Sequence, residues 1–206
     1  MTRSKICGIT RIEDSLACAR HGADAIGLVF YPPSPRHVST AQAHAIARAL
    51  PPFVTTVALF VDPSPDLVEQ VLREVHPDVL QFHGNEAPEL CASFGISWLK
   101  AVRVKAGLNL VEYATRYRGA QGLLLDTFVE GQAGGTGLSF DWSLIPADLP
   151  LPVVLSGGLA PDNVSAAIRQ VKPWAVDVSS GVEAAKGIKS EAKIAAFMQG
   201  VRNASL

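Results

Sequence analysis

Eight short apolar runs recur along this chain, and stretches of helix length separate most of them. The runs are Ser4–Ile6, Ala25–Val29, Thr55–Val61, Val79–Phe82, Trp98–Val102, Gly122–Leu125, Val153–Leu155 and Ala175–Val178. Most are continuous rather than alternating, which suits strands covered on both faces, as in a parallel sheet. Between them, apolar residues return at helical spacing. Asn163 reads as a cap before Val164, Ala167, Ile168 and Val171, at i, i+3, i+4 and i+7. Leu67, Val68, Val71, Leu72 and Val75 form a second stripe, and Ile194, Ala195, Met198 and Val201 a third. Weaker helices are expected over 12–20, 40–50, 88–94 and 110–117. The segment Phe128–Ser139 is rich in glycine and reads as a loop, with only a helical turn at Trp142–Ile145 after it.

Eight strands in 206 residues leave about 26 residues per unit, near the minimum for a strand and its crossover helix. A doubly wound sheet would use five or six of the runs and strand the rest. The expectation is therefore an α/β fold: a compact, single-domain (β/α)8 TIM barrel over residues 1–206, without insertions. Apolar residues make up 48% of the chain, enough for a large core and too many for a disordered polymer. The balance of 18 Lys and Arg against 19 Asp and Glu, with no basic run, argues against a nucleic-acid partner. No apolar stretch approaches the ~20 residues of a membrane span, and no signal-peptide core follows Met1. Three cysteines without metal spacing point away from disulfides and toward a cytoplasmic protein. No metal site is expected, and the length fits a monomer or a homodimer.

In a TIM barrel the chemistry lies at the C-terminal ends of the strands. Those positions are Cys7, the Tyr31–Arg36 loop, Asp62, His83, Arg103, Asp126 and three glycine turns. The turns are Gly134-Gly135-Thr136-Gly137, Ser156-Gly157-Gly158 and Ser179-Ser180-Gly181. Glycine lets backbone N–H groups approach a ligand, and the turns after strands 7 and 8 are the recurrent phosphate site of this fold. Gly135, Gly137, Ser156, Gly157, Gly158, Ser180 and Gly181 are thus candidate binding residues for a small phosphorylated substrate.

Two readings fit Cys7: a buried core thiol, or a proton acceptor at the barrel mouth. Two also fit Asp126, which follows three leucines: a cap on the next loop, or a general acid, since a carboxyl taken out of water holds its proton more readily. Arg36 ends a proline-stiffened loop and is either solvated or a fork for a substrate carboxylate. Asp177, inside strand 8, either holds a ligand or pairs structurally, with the structural role favoured. His83 reads as a hydrogen-bonded scaffold residue, and Cys18 and Cys91 as inert core. An acid and a base facing each other across the mouth suit an isomerisation that needs no cofactor.

The assembled motifs resemble the phosphoribosylanthranilate isomerase family of tryptophan biosynthesis over essentially the whole chain. They are Lys5-Ile6-Cys7-Gly8-Ile9-Thr10, Gly27-Leu28-Val29-Phe30 with Ser34-Pro35-Arg36, and Gln81-Phe82-His83-Gly84. Leu125-Asp126-Thr127, Gly134-Gly135-Thr136-Gly137 with Phe140-Asp141-Trp142, Ser156-Gly157-Gly158-Leu159 and Asp177-Val178-Ser179-Ser180-Gly181-Val182-Glu183 complete them. Two departures touch loops only: Asp62 where the family often has Asn, and Ser190 where Asp is common. The resemblance implies an Amadori rearrangement of N-(5-phosphoribosyl)anthranilate to 1-(2-carboxyphenylamino)-1-deoxyribulose 5-phosphate. It implies Asp126 as the acid that opens the ring, Cys7 as the base at C2, Arg36 on the carboxylate and the glycine turns on the phosphate. The competing readings are a sugar-phosphate epimerase or histidine-pathway isomerase, which would want Asp in place of Cys7, and a binding barrel that has lost its chemistry.

Overall fold

A computed structural model describes residues 1–105, 107–127 and 141–204. Eight parallel strands close into a barrel in sequence order: β1 (Arg3–Cys7), β2 (Ala25–Val29), β3 (Thr55–Phe60), β4 (Val79–Phe82), β5 (Trp98–Val104), β6 (Gly122–Thr127), β7 (Val153–Leu155) and β8 (Ala175–Val178). Every expected run is a barrel strand. The helices are α1 (Ile12–Arg20), α2 (Thr40–Ala49), α3 (Pro65–Val75), α4 (Pro88–Ala92), α5 (Leu110–Arg116), α6 (Val164–Val171) and α7 (Glu191–Ala204). The turn expected after strand 6 is a 3-10 helix at Trp142–Leu144. A two-stranded hairpin, β9 (Glu183–Ala185) with β10 (Ile188–Lys189), has no counterpart among the expected elements. No described helix is long and apolar enough to cross a membrane.

Local chemistry sets the helix starts. Ser39, Ser64 and Asn109 each accept a backbone N–H from the first turn of α2, α3 and α5, and Pro65 supplies a helical φ at the start of α3. Val68, Val71 and Val75 then face inward from α3. Ser190 accepts from the Lys193 N–H before α7, a capping role that Asp fills equally well, so this departure from the family pattern leaves the helix start intact. Asp62 has φ of 45°, in the left-handed region where Asn and Asp are best tolerated among non-glycine residues. Asn163 differs from expectation. Its side chain makes no helix-capping bond; it reaches back to accept the Ala160 N–H and donate to the Gly158 carbonyl, tying down the turn after β7.

The main core lies between the barrel and its helices, built from Ile6, Ile26, Leu28, Phe60, Phe82, Leu123, Leu125, Val176 and their helical partners. Strand side chains alternate, so the other set points into the barrel. Two small inner clusters result, Cys7–Val29–Leu59 and Ala101–Leu124–Val154. Following each inward column toward the C-terminal end leads from these apolar residues to polar ones: Ala101 to Arg103, Leu124 to Asp126, Val154 to Ser156.

A buried ion pair fixes the loop after β4. Lys100 Nζ lies 2.8 Å from Glu86 Oε2, with both side chains fully buried. The ammonium also donates to the Phe82 and Gly84 carbonyls, while the Glu86 carboxylate accepts the N–H groups of Asp62 and Gly84. Lys100→Met strands that carboxylate in the interior. It is expected to cost about 3–5 kcal/mol, read from urea unfolding. A loss below about 1 kcal/mol would show that the loop relaxes and hydrates Glu86.

Candidate functional site

The inward columns end in one cavity of about 380 Å³ at the C-terminal mouth. Its lining brings together Cys7 from β1, Arg36, His83, Arg103, Asp126 from β6, Ser156-Gly157-Gly158 after β7, and Asp177, Ser179 and Ser180 at β8. Cys7 and Asp126 therefore share one rim. Gly135 and Gly137 lie outside the described residues. Gly157 and Gly158 both have positive φ (83° and 67°), a conformation in which glycine is unstrained. Gly181 is not in the lining. A methyl group built on it would overlap the Leu159 carbonyl oxygen, so its role is to let the β7 and β8 turns touch.

Asp126 is buried, and its Oδ2 lies 3.2 Å from His83 Nε2. The Gln81 side-chain amide sits 3.2 Å from His83 Nδ1. The imidazole is held between the Gln81 amide at Nδ1 and the Asp126 carboxyl at Nε2. His83 is thus a scaffold residue that aims the carboxyl, as its sequence setting suggested.

Cys7 is a free, buried thiol. A methyl group on Gly27 would meet Cys7 Sγ at 2.7 Å and Lys5 Nζ at 3.1 Å, so thiol and ammonium sit together over that glycine. Lys5 in turn pairs with Asp177 at 2.9 Å. Burial pushes the Cys7 thiol above its usual range; the Lys5 charge pulls it back down, and Asp177 pushes it up again. Burial alone would lower the Lys5 ammonium, but facing Asp177 and Cys7 raises it above its ordinary value, so it stays charged. Cys18, buried in α1, is pushed up to about 12 chiefly by burial, and Cys91 likewise.

Three of the expected binding residues also bond within the protein. Asp177 accepts from Lys5 on Oδ1 and from the Ser156 hydroxyl on Oδ2, so both residues line the cavity while their polar atoms bond each other. Arg36 is neither solvated nor an open fork. Its Nε and Nη2 lie 2.7 and 2.9 Å from the two carboxylate oxygens of Glu183. That bidentate pair raises the Arg36 guanidinium further. Burial would raise the Glu183 carboxyl, yet Arg36 and Lys189 hold it below its usual value. The pair takes up the Nε and Nη2 edge of the guanidinium. Lys5 and Glu183 stand within the family motifs, but the sequence assigned no role to them or to Lys189; a lysine inside an apolar run, as at Lys5, was the available signal.

The fold and the site define a class: TIM-barrel proteins whose mouth sets a thiol and a carboxyl beside glycine turns suited to a phosphate. The model of the N-(5'-phosphoribosyl)anthranilate (PRA) isomerase family matches residues 4–200. The chain belongs to that family. It is 58% identical over 199 residues to the N-(5'-phosphoribosyl)anthranilate isomerase of Nitrosospira multiformis, covering 97% of this chain and 96% of the relative. It is 60% identical over 203 residues to that of Pseudomonas fluorescens, covering 98% and 97%. Among solved structures, the Thermotoga maritima phosphoribosyl anthranilate isomerase superposes with a TM-score of 0.91 at 43% identity, covering 98% of this chain and all of the other. A phosphoribosyl anthranilate isomerase in complex with reduced 1-(o-carboxyphenylamino)-1-deoxyribulose 5-phosphate superposes at 0.88 with 42% identity, again covering 98% and 100%.

Proposed function

We propose that this chain is the isomerase that converts N-(5'-phosphoribosyl)anthranilate to 1-(2-carboxyphenylamino)-1-deoxyribulose 5-phosphate in tryptophan biosynthesis. The observation that carries the reading is the meeting of Cys7 and Asp126, from strands β1 and β6, in one cavity with the β7 and β8 turns. In this reading Asp126 gives its proton to the furanose ring oxygen. The bond from that oxygen to C1 breaks, and the amine nitrogen lone pair forms an iminium at C1. Cys7, as the thiolate, takes the proton from C2, and the electrons of that C–H bond neutralise the iminium to an enolamine. Protonation at C1 and loss of the C2 hydroxyl proton give the ketone, and no atom is gained or lost overall.

The supporting groups follow from the same geometry. Lys5 favours the thiolate, and His83 aims the carboxyl. The turns at Gly157-Gly158 and Ser180 hold the phosphate, with Asn163 bracing the first through the Gly158 carbonyl. Ser156 and Asp177 support that side of the cavity rather than touching the ligand. Arg36, steadied by Glu183, offers its remaining edge to the carboxylate.

The test is turnover of freshly made phosphoribosylanthranilate, followed by loss of the aminobenzoate fluorescence. Steady turnover is the expected result. A protein that binds the compound but leaves its fluorescence unchanged would be a binding barrel instead. For the phosphate turns, Gly181→Ala forces the β7 and β8 turns apart. A strain on the order of 1–3 kcal/mol should weaken inorganic phosphate binding roughly tenfold, measured by calorimetry. Unchanged affinity would move the phosphate elsewhere.

A further inference from the structure

Arg103 lies on β5 at the position paired with Asp126 of β6 in the parallel register, and its side chain lines the same cavity. Paired positions of adjacent strands face the same way, so guanidinium and carboxyl rise side by side at the mouth. The Arg103 Nε is buried and has no hydrogen-bond acceptor. The other buried cations at this end are already matched, Lys5 by Asp177 and Arg36 and Lys189 by Glu183, while Lys186 lines the cavity from an exposed position on its rim. A buried N–H without an acceptor is disfavoured, and at the lining of a cavity the natural remedy is a ligand anion.

We propose that Arg103 is a specificity-determining residue whose acceptor is the carboxylate of the substrate's aromatic amine. The inference rests on the function proposed above. The substrate carries two anionic groups, and the β7 and β8 turns suit the phosphate. The carboxylate belongs to the other end. C1 bears both the ring oxygen and the amine nitrogen, and the carboxylate sits ortho to that nitrogen. An acid that reaches the ring oxygen therefore has the carboxylate only a few bonds away. The residue beside Asp126 is the one placed to meet it. Arg36, with one edge committed to Glu183, approaches from the β2 side as the second reader.

The experiment compares kcat/KM for phosphoribosylanthranilate and for the same sugar phosphate carrying aniline, which lacks the carboxylate. For Arg103→Met, the ratio of the two values should fall roughly 10–100-fold from wild type, the range for a hydrogen bond to a charged group. Arg103→Lys should recover part of it, since a lysine keeps the charge but loses the planar fork. The ratio is independent of how much of each preparation is folded. A ratio unchanged in Arg103→Met overturns the proposal, whether both activities fall together or neither falls. Wild type inactive on both compounds would sink the proposed function itself, a separate outcome.

Discussion

Asp126→Asn should lower kcat by ~10²–10⁴-fold, the usual worth of a positioned proton donor, while a phosphorylated product analogue still binds within a few-fold of wild type. Asparagine is nearly isosteric, and its side-chain amide can still bond His83 Nε2, whose distance to the carboxylate is 3.2 Å. The substitution therefore spares the Gln81–His83–Asp126 chain and removes only the transferable proton. The fluorescence assay gives kcat, and titration of the analogue gives affinity. A kcat within threefold of wild type would relieve Asp126 of its role. A parallel collapse of analogue binding would instead make it a binding residue.

The catalytic candidates were legible because two rules locate them without coordinates. Strand alternation decides which side chains enter a barrel, and the fold places ligands at the C-terminal strand ends. Cys7 and Asp126 satisfy both, Ser156 continues the Val154 column just past β7, and Gly157 and Gly158 follow from the second rule alone. What stayed hidden depends on partners distant in the chain. Glu183 meets Arg36 across 147 residues, through the short β9–β10 hairpin that no periodicity announces. Asp177 finds Lys5 across 172 residues because β8 closes onto β1. A sequence gives each such ion one partner by charge and many by count, and closure of the barrel selects among them. Asn163 shows the same limit at short range: its position before a helix implies a cap, yet the turn after β7 offers its amide better-placed groups in Ala160 and Gly158.

Cys7→Ala should cut kcat by a comparable ~10²–10⁴-fold, since it removes the thiol that sits with Lys5 over Gly27 and is assigned to accept the C2 proton. The stronger test is the pH profile, because a thiolate base makes three variants diverge. Below the thiol pKa, kcat/KM rises with pH as the thiolate forms. Lys5→Met removes the charge that favours the thiolate, so the rising limb moves to higher pH and the rate at pH 7 falls, tenfold for each unit of pKa. Asp177→Asn removes a carboxylate that disfavours the thiolate, so the limb moves to lower pH. The double variant leaves no unpaired buried charge. It should stand above wild type, because Lys5 acts on the sulfur more strongly than Asp177 does. The rate of iodoacetamide alkylation against pH, in a Cys18→Ala/Cys91→Ala background, reads the same thiol independently of turnover. A merely structural Lys5–Asp177 pair would lower activity equally at every pH and leave the limb where it was. Limbs displaced in opposite directions by the two single variants require that both charges act on one titrating sulfur, and only the Cys7 thiol lies beside both.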